Sequence, residues 1–266
     1  MMKNEKYKKL VKYMCELKNC VVAFSGGVDS SFLIKVAKDV LGDKALALTV
    51  VSPYIPKWEI EEAKNIAALI GIKHEFLRIS EIPDIIKFNP ANRCYLCKTS
   101  IFTRIREISF KYGFEHVVDG TNADDVKDYR PGLKALKELD IKSPLLENNI
   151  TKEEIRTFSK KLNLGTWDKP SYACLLSRIP YGKEIKTQEL ERVEKSEKYL
   201  MSLGFKSVRV RSHDDLARIE VPENNMPEII ENKMFEKIAK TLRNFGFKYV
   251  TMDMEGYRMG SLNEEL

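Results

Sequence analysis

"CVVAFSGGVDSSFLIKVAKDVLG", residues 20–42, decides the fold. Its first five residues form a continuous apolar run, as expected of a strand buried on both faces of a parallel sheet. Gly26 and Gly27 follow and let the backbone turn tightly. "SFLIKVAKDVLG" then reads as a helix closed by Gly42. This order presents the unpaired N–H groups and positive dipole end of a helix at a sheet edge, where they bind phosphate. Ser25, Ser30 and Ser31 add hydroxyl donors. Asp29 is an odd neighbour for a phosphate unless it holds a cation. Mg²⁺, which bridges carboxylate and phosphate oxygens, is the expected one. The loop is neither a Walker A sequence, which needs Lys before Ser/Thr, nor a G-x-G-x-x-G dinucleotide turn.

The same grammar extends outward. "KALALTVVS" reads as a second strand, "KWEIEEAKNIAALIG" as a helix closed by Gly71, and "HEFLRI" as a third strand. "HVVDG" supplies a fourth strand and "IKSPL" a short fifth. Alternation of strand and helix predicts an α/β domain with right-handed crossovers. "DGTNADD" (119–125) follows the fourth strand at the carboxyl edge, where open α/β sheets bind ligands. Gly120 and Thr121 are therefore expected to line a nucleotide. Asp125, with Asp124 as the alternative, would help to hold Mg²⁺. An Asx-rich turn capping a helix explains these residues equally well one by one. Thr151 and Glu154 form a capping-box pattern at the head of "TKEEIRTFSKKLNLG".

The last third changes character. Two segments run helix, Gly-Phe-Lys, strand, and "LARIEV" lies between them, which predicts a small α+β unit. "TWDKPSYACLLSRIPYG" has the Pro and Gly content of a loop. The expected domains are 1–180, which binds ATP, and 181–266, which binds substrate or assembles the oligomer.

Composition bounds the function. The 266 residues are 43% hydrophobic and 32% charged, with net charge +6. Basic residues are spread along the chain, which suits a small phosphorylated substrate and gives no footprint for nucleic acid. No run is long and apolar enough to span a bilayer. The lysine-rich start reads as an amphipathic helix without an apolar signal core, so no membrane partner and a cytoplasmic location are expected.

Five cysteines, an odd number, argue against a disulfide framework. Cys15 and Cys20 are expected to pack as small apolar groups. Cys94 and Cys97 form C-x-x-C in the irregular stretch "PDIIKFNPANRCYLCK", a spacing that suits a redox pair, packing or half a zinc site. His74, His116 and His213 show no paired spacing. Cys174 sits in a loop suited to a reactive thiolate. Three thiolates leave a structural zinc site incomplete. They can hold a [4Fe–4S] cluster by three irons and leave the fourth open to a ligand such as sulfide.

"SGGVDSS" after a strand resembles the PP-loop ATP pyrophosphatases. That resemblance implies ATP cleaved between its α and β phosphates, with AMP passed to an acceptor oxygen. The phosphate loop, "ACLLSRIPYG", "RVR…ARIEV" and "MDMEGYRMGS" together resemble the LarE family, over nearly the whole chain. This implies an ATP-dependent sulfur insertase that adenylates the carboxylates of a pyridinium biscarboxylate mononucleotide. A sulfide donor then displaces AMP to leave thiocarboxylates for a nickel-pincer cofactor. The family has two styles. In one, a cysteine at the position of Cys174 gives up its own sulfur. In the other, cysteines matching Cys94, Cys97 and Cys174 hold a cluster that delivers external sulfide. All three are present, so the cluster style is expected, with sacrifice of Cys174 as its alternative. A homo-oligomer is expected too.

In "SVRVRS", Arg209 and Arg211 share one strand face and Val208 and Val210 the other. Pattern alone favours a solvated face. The resemblance instead implies that Arg209, Arg211 and Arg258 bind the substrate's phosphate, and that Arg178 stabilises charge at the acyl-adenylate. The helical stretch 191–198 reads as a solvated face. The rival enzymes are a PP-loop tRNA thiolase, which would carry an RNA-binding module, and an amidating ligase of the NAD synthetase kind, which would leave three cysteines without work. A non-catalytic ATP-binding or iron–sulfur sensor is the rival from outside enzymes.

Overall fold

The structure is a computed structural model and describes residues 4–127, 131–205, 207–231, 233–258 and 260–262. Lys206 and Met259, within two of the quoted motifs, lie outside the described residues. The chain divides into two compact units: residues 1–79 with 92–172, and residues 80–91 with 173–266.

The first unit is α/β. Helix α1 (Glu5–Leu17) is the amphipathic start, N-capped by Asn4, whose side chain accepts from the backbone N–H groups of Lys6 and Tyr7. Strand β1 (Cys20–Ala23), helix α2 (Val28–Leu41), strand β2 (Ala45–Val51), helix α3 (Lys57–Ile70) and strand β3 (Lys73–Arg78) follow in strict alternation. Helix α4 (Arg93–Lys111) leads to strand β4 (Val117–Val118). Two short helices, α5 (Gly132–Glu138) and α6 (Pro144–Glu147), precede α7 (Lys152–Lys161).

The sheet is parallel with order β3-β2-β1-β4. Alternate strand residues serve two cores. Cys20, Val22, Ala45 and Ala47 pack with α1, α2 and α7, whereas Val21, Leu46, Leu48 and Val117 pack with Phe102 and Ile105 of α4 and Leu136 of α5. Burial on both faces is why these strands are unbroken apolar runs. The order reverses beside β1, so the switch point lies between the carboxyl ends of β1 and β4.

Two expectations shift. "IKSPL" contributes a single parallel bridge, Lys142 to Val118, because Pro144 opens α6 instead of extending a strand. The C-x-x-C pair is helical, since α4 already begins at Arg93.

The second unit is α+β. Helix α8 (Thr187–Ser202), strands β5 (Arg209–His213) and β6 (Leu216–Glu220), helices α9 (Met226–Glu231) and α10 (Phe235–Asn244), and strand β7 (Tyr249–Met252) form its framework. β5 and β6 are antiparallel, and β7 adds parallel to β6. No helix among the described residues is long and apolar enough to cross a membrane.

Candidate active site

The phosphate loop, residues 25–31, lies at the carboxyl end of β1. Gly26 adopts φ +73°, and a Cβ there would lie 3.1 Å from Ala63 of α3. Glycine is required for both reasons. Gly27 caps α2 without a side chain. The loop hydroxyls bond to one another: Ser25 Oγ lies 3.1 Å from Ser30 Oγ, and Ser30 Oγ donates to Gly27 O at 3.3 Å. Ser31 Oγ is buried with no hydrogen-bond partner among the described residues.

Gly120 meets this loop from β4. A Cβ at Gly120 would lie 3.0 Å from Ser30 N, so the 119–125 turn sits directly against the head of α2. Thr121 donates to Asp119 Oδ2 at 2.5 Å, and Ser143 donates to Asp119 Oδ1 at 2.7 Å, so Asp119 shapes the turn. Asp125 Oδ2 accepts from Asn122 N, and Asp124 accepts from Lys152 N at the start of α7.

Asp29 is the centre of this edge. Its Oδ2 accepts from Lys152 Nζ at 2.6 Å, while Oδ1 is buried with no hydrogen-bond partner among the described residues. Burial raises its pKa, against the opposing pull of Lys152, and Asp125 adds a further upward push. A buried carboxylate oxygen without a donor fits a hard cation such as Mg²⁺. Asp29, with Asp125 nearby, would hold it.

Lys169 braces the loop from outside. Its Nζ donates to Gly26 O at 3.0 Å and Glu62 at 2.6 Å, beside the rings of Trp58 and Tyr172. Arg156 of α7 fixes that segment by donating to the carbonyls of Trp167 and Lys169. Sequence reasoning singled out neither Lys152 nor Lys169. A lysine at a helix start or in a loop is too common to stand out without coordinates.

Cys94 and Cys97 stand in the first turns of α4, three residues apart and so on one helix face. Cys94 is exposed, and Cys97 is half-buried with its thiol 3.9 Å from Tyr54 Oη. Cys20 is buried as expected, whereas Cys15 is exposed. Two accessible thiols on one helix face fit part of a cluster's donor set. Among the described residues no three His, Cys, Asp or Glu side chains gather as a metal-binding group. Cys174 belongs to the second unit, half-buried at the head of the turn Leu175–Arg178.

That turn is held by buried charge. Arg178, expected beside the acyl-adenylate, is 1% exposed. Its Nε and Nη2 each donate to Glu197 of α8 at 2.9 Å, and Nη1 donates to the carbonyls of Ala173 and Cys174. Glu197 also accepts from Val210 N. Stretch 191–198 is therefore not wholly a solvated face: Glu197 points inward. Both arginines of β5 are buried as well. Arg211 makes a two-pronged pair with Glu220, at 2.7 and 3.0 Å, and also donates to Ser177 O. Arg209 stacks on Tyr257, 5.0 Å from its ring centre. Burial, then the like charge of Arg178, lower its pKa. Arg258 pairs with Glu255.

The comparisons with known proteins fit this geometry. The NAD synthase family matches residues 4–124, the stretch that carries the phosphate loop and the β4 turn. An uncharacterized protein of Synechocystis sp. is 44% identical over 100% of this chain and 99% of its own. One of Methanocaldococcus jannaschii is 35% identical over 94% and 98%. The pyridinium-3,5-bisthiocarboxylic acid mononucleotide synthase of Lactiplantibacillus plantarum, the LarE enzyme, is 36% identical over 97% of this chain and 93% of its own. The chain belongs to the LarE family. It is an ATP-dependent sulfurtransferase with a PP-loop domain. The LarE relatives span both units, whereas the NAD synthase match ends before Cys174 and the arginine-rich β5.

Proposed function

We propose that this enzyme inserts sulfur into both carboxyl groups of a pyridinium biscarboxylate mononucleotide, at the cost of ATP, to make the thiocarboxylates of a nickel-pincer cofactor. The observation that carries the reading is near full-length similarity to the L. plantarum synthase, joined to a phosphate loop whose Asp29 keeps a buried oxygen for a cation.

The loop backbone at Gly26 and Gly27, the hydroxyls of Ser25, Ser30 and Ser31, and the head of α2 bind the β and γ phosphates. Gly120 and Thr121 line the nucleotide. Mg²⁺ on Asp29 and Asp125 would offset phosphate charge. A substrate carboxylate oxygen bonds to the α-phosphorus while pyrophosphate leaves. Sulfur then displaces AMP from the acyl-adenylate. Arg209, Arg211 and Arg258 bind the substrate's phosphate, with the Arg211 fork oriented by the buried carboxylate of Glu220 and the Arg209 guanidinium by the ring of Tyr257. Arg178 fixes the Cys174 turn through two backbone carbonyls.

Cys94, Cys97 and Cys174 would hold the cluster, which supplies an open iron for external sulfide. Anaerobic reconstitution with iron and sulfide tests this, followed by an ATP-dependent assay with the pyridinium nucleotide. The protein should turn brown, and Cys94→Ala should abolish both colour and sulfide-dependent turnover. Turnover that survives while Cys174 becomes dehydroalanine establishes the sacrificial route instead. Absence of any thiocarboxylate product would sink the substrate assignment.

A further inference from the structure

Tyr54 stands on the connection from β2 to α3, between Pro53 and Pro56, at the same carboxyl edge of the parallel sheet as the phosphate loop. The connection is tightly turned: Ile55 N donates to Ser52 O at 3.2 Å, and Pro56 caps α3. A short segment with two prolines has little backbone freedom, so the ring has a fixed place. The side chain is 2% exposed, one of the largest buried groups of the chain. A tyrosine buried this deeply needs a partner for its hydroxyl. The Cys97 thiol of α4 lies 3.9 Å from that oxygen. Tyr95, which sits between the two cysteines of the C-x-x-C pair, behaves differently. Its hydroxyl donates to Glu138 of α5 at 2.7 Å.

The contact between Cys97 and Tyr54 has a direction that ligation reverses. With the thiol intact, S–H donates and the Tyr54 oxygen accepts. Iron takes cysteine as the thiolate, which has no proton to give and only accepts. A phenol O–H is both donor and acceptor, and it turns about its C–O bond without moving the ring. Hydrogen bonds to the sulfurs are one means by which a protein sets the charge density of an iron–sulfur group.

We propose that Tyr54 is a positioning residue for sulfur delivery: its hydroxyl donates to the Cys97 sulfur when that sulfur holds iron, draws negative charge from it, and so strengthens the hold of the open iron on sulfide. This rests on the cluster reading above. The hydroxyl acts through Cys97, and it makes or breaks no covalent bond. The competing explanation makes Tyr54 a space-filling ring whose oxygen has no effect.

The two explanations separate on a reduction potential. Wild type, Tyr54→Phe and Tyr95→Phe are reconstituted anaerobically as full chains with iron and sulfide. The potential is then read by dithionite titration followed by electron paramagnetic resonance. Tyr54→Phe keeps the ring and loses the oxygen. Loss of a hydrogen bond to a charged group predicts a potential lowered by about tenfold in the reduction equilibrium, about 60 mV for a one-electron couple. Sulfide, titrated by visible absorbance, should half-saturate Tyr54→Phe at a higher concentration than wild type. Tyr95→Phe loses a hydroxyl that is bonded elsewhere and should leave both readings unchanged. A thermal melt verifies that each variant is folded. If Tyr54→Phe does not fold, replacement of Tyr54 alone by fluorotyrosine decides: the fluorinated phenol is a stronger donor, so the potential must rise. An unchanged potential in either altered protein overturns the proposal. So does a lowered potential with unchanged sulfide affinity, and so does an equal shift in Tyr95→Phe. Wild type that takes up no cluster overturns the cluster reading and this proposal together, whereas a wild-type cluster indifferent to the Tyr54 hydroxyl overturns this proposal alone.

Discussion

Glu197 grips Arg178 with both carboxylate oxygens, 2.9 Å from Nε and 2.9 Å from Nη2, and the pair is almost wholly buried. The cost of removing one partner far exceeds the worth of the pair, because it strands a buried charge. Glu197→Ala should destabilise the second unit by about 3–5 kcal/mol. Urea unfolding measures this. The same variant should release the Cys174 turn, seen as faster alkylation of that thiol in the folded protein.

Gly120→Ala brings a Cβ to within 3.0 Å of Ser30 N, a backbone atom at the head of α2 that cannot step aside alone. The strain is about 1–3 kcal/mol, which falls on the nucleotide edge. ATP affinity should drop about tenfold or more, as read by equilibrium binding. Sites in the second unit should keep their stability.

Gly26→Ala should be worse still for the loop. The residue must hold φ +73° and would press on Ala63 at 3.1 Å. The left-handed backbone alone costs about 1–2 kcal/mol. Loss of ATP binding with little change in the far-ultraviolet circular dichroism spectrum is the expected result.

His74 gives the first unit a pH dependence. Its Nε2 lies 2.8 Å from Thr49 Oγ1, and burial pushes its pKa down from 6.5 to about 4. The unfolded chain therefore binds a proton that the folded chain refuses between those values. Stability is complete above about 6.5 and falls as pH drops toward 4. Allowing for the ring's partial exposure, the loss is about 1–2 kcal/mol. Unfolding free energies from urea titrations at pH 7.5 and 5 should differ by this amount in wild type, and His74→Gln should remove that share of the difference.

Thr151→Ala removes the hydroxyl half of the capping box at α7, where Thr151 Oγ1 accepts from Glu154 N, and leaves the backbone N–H of residue 151 to donate to Glu154. A loss of about 1 kcal/mol is expected, measured by urea unfolding.

Much of the first unit was legible in the sequence because its signals are local. An apolar run, a Gly-rich turn and a periodic helix fix β1 and α2 without long-range information. The Thr151–Glu154 pattern fixes α7 in the same way. The sequence could single out Asp29, which the structure sets in the phosphate loop with a buried oxygen free of donors among the described residues, and the proposed ligands Cys94 and Cys97, because such chemistry calls for rare residue types. The site was illegible where a common residue gains meaning from a distant partner. Lys152 meets Asp29, and Lys169 meets Gly26, across more than a hundred residues. Glu197 read as one more acid on a charged helix, and only the packing of β5 and the Arg178 turn against α8 turns it inward. Cys94 and Cys97 read as irregular because Pro and Asn precede them, yet those residues end just before α4 starts at Arg93.

Residues 80–91 leave the first unit, join the second, and return. The amide of Asn89, on that excursion, donates to the carbonyls of Leu176, Ile179 and Pro180. A gene fragment cut once after residue 172 would lack this strip, so its product would begin life with the Cys174 turn missing its inner clasp. The two halves must therefore be inherited, transplanted and expressed as one piece, and modular swapping of the sulfur-handling half demands two grafts.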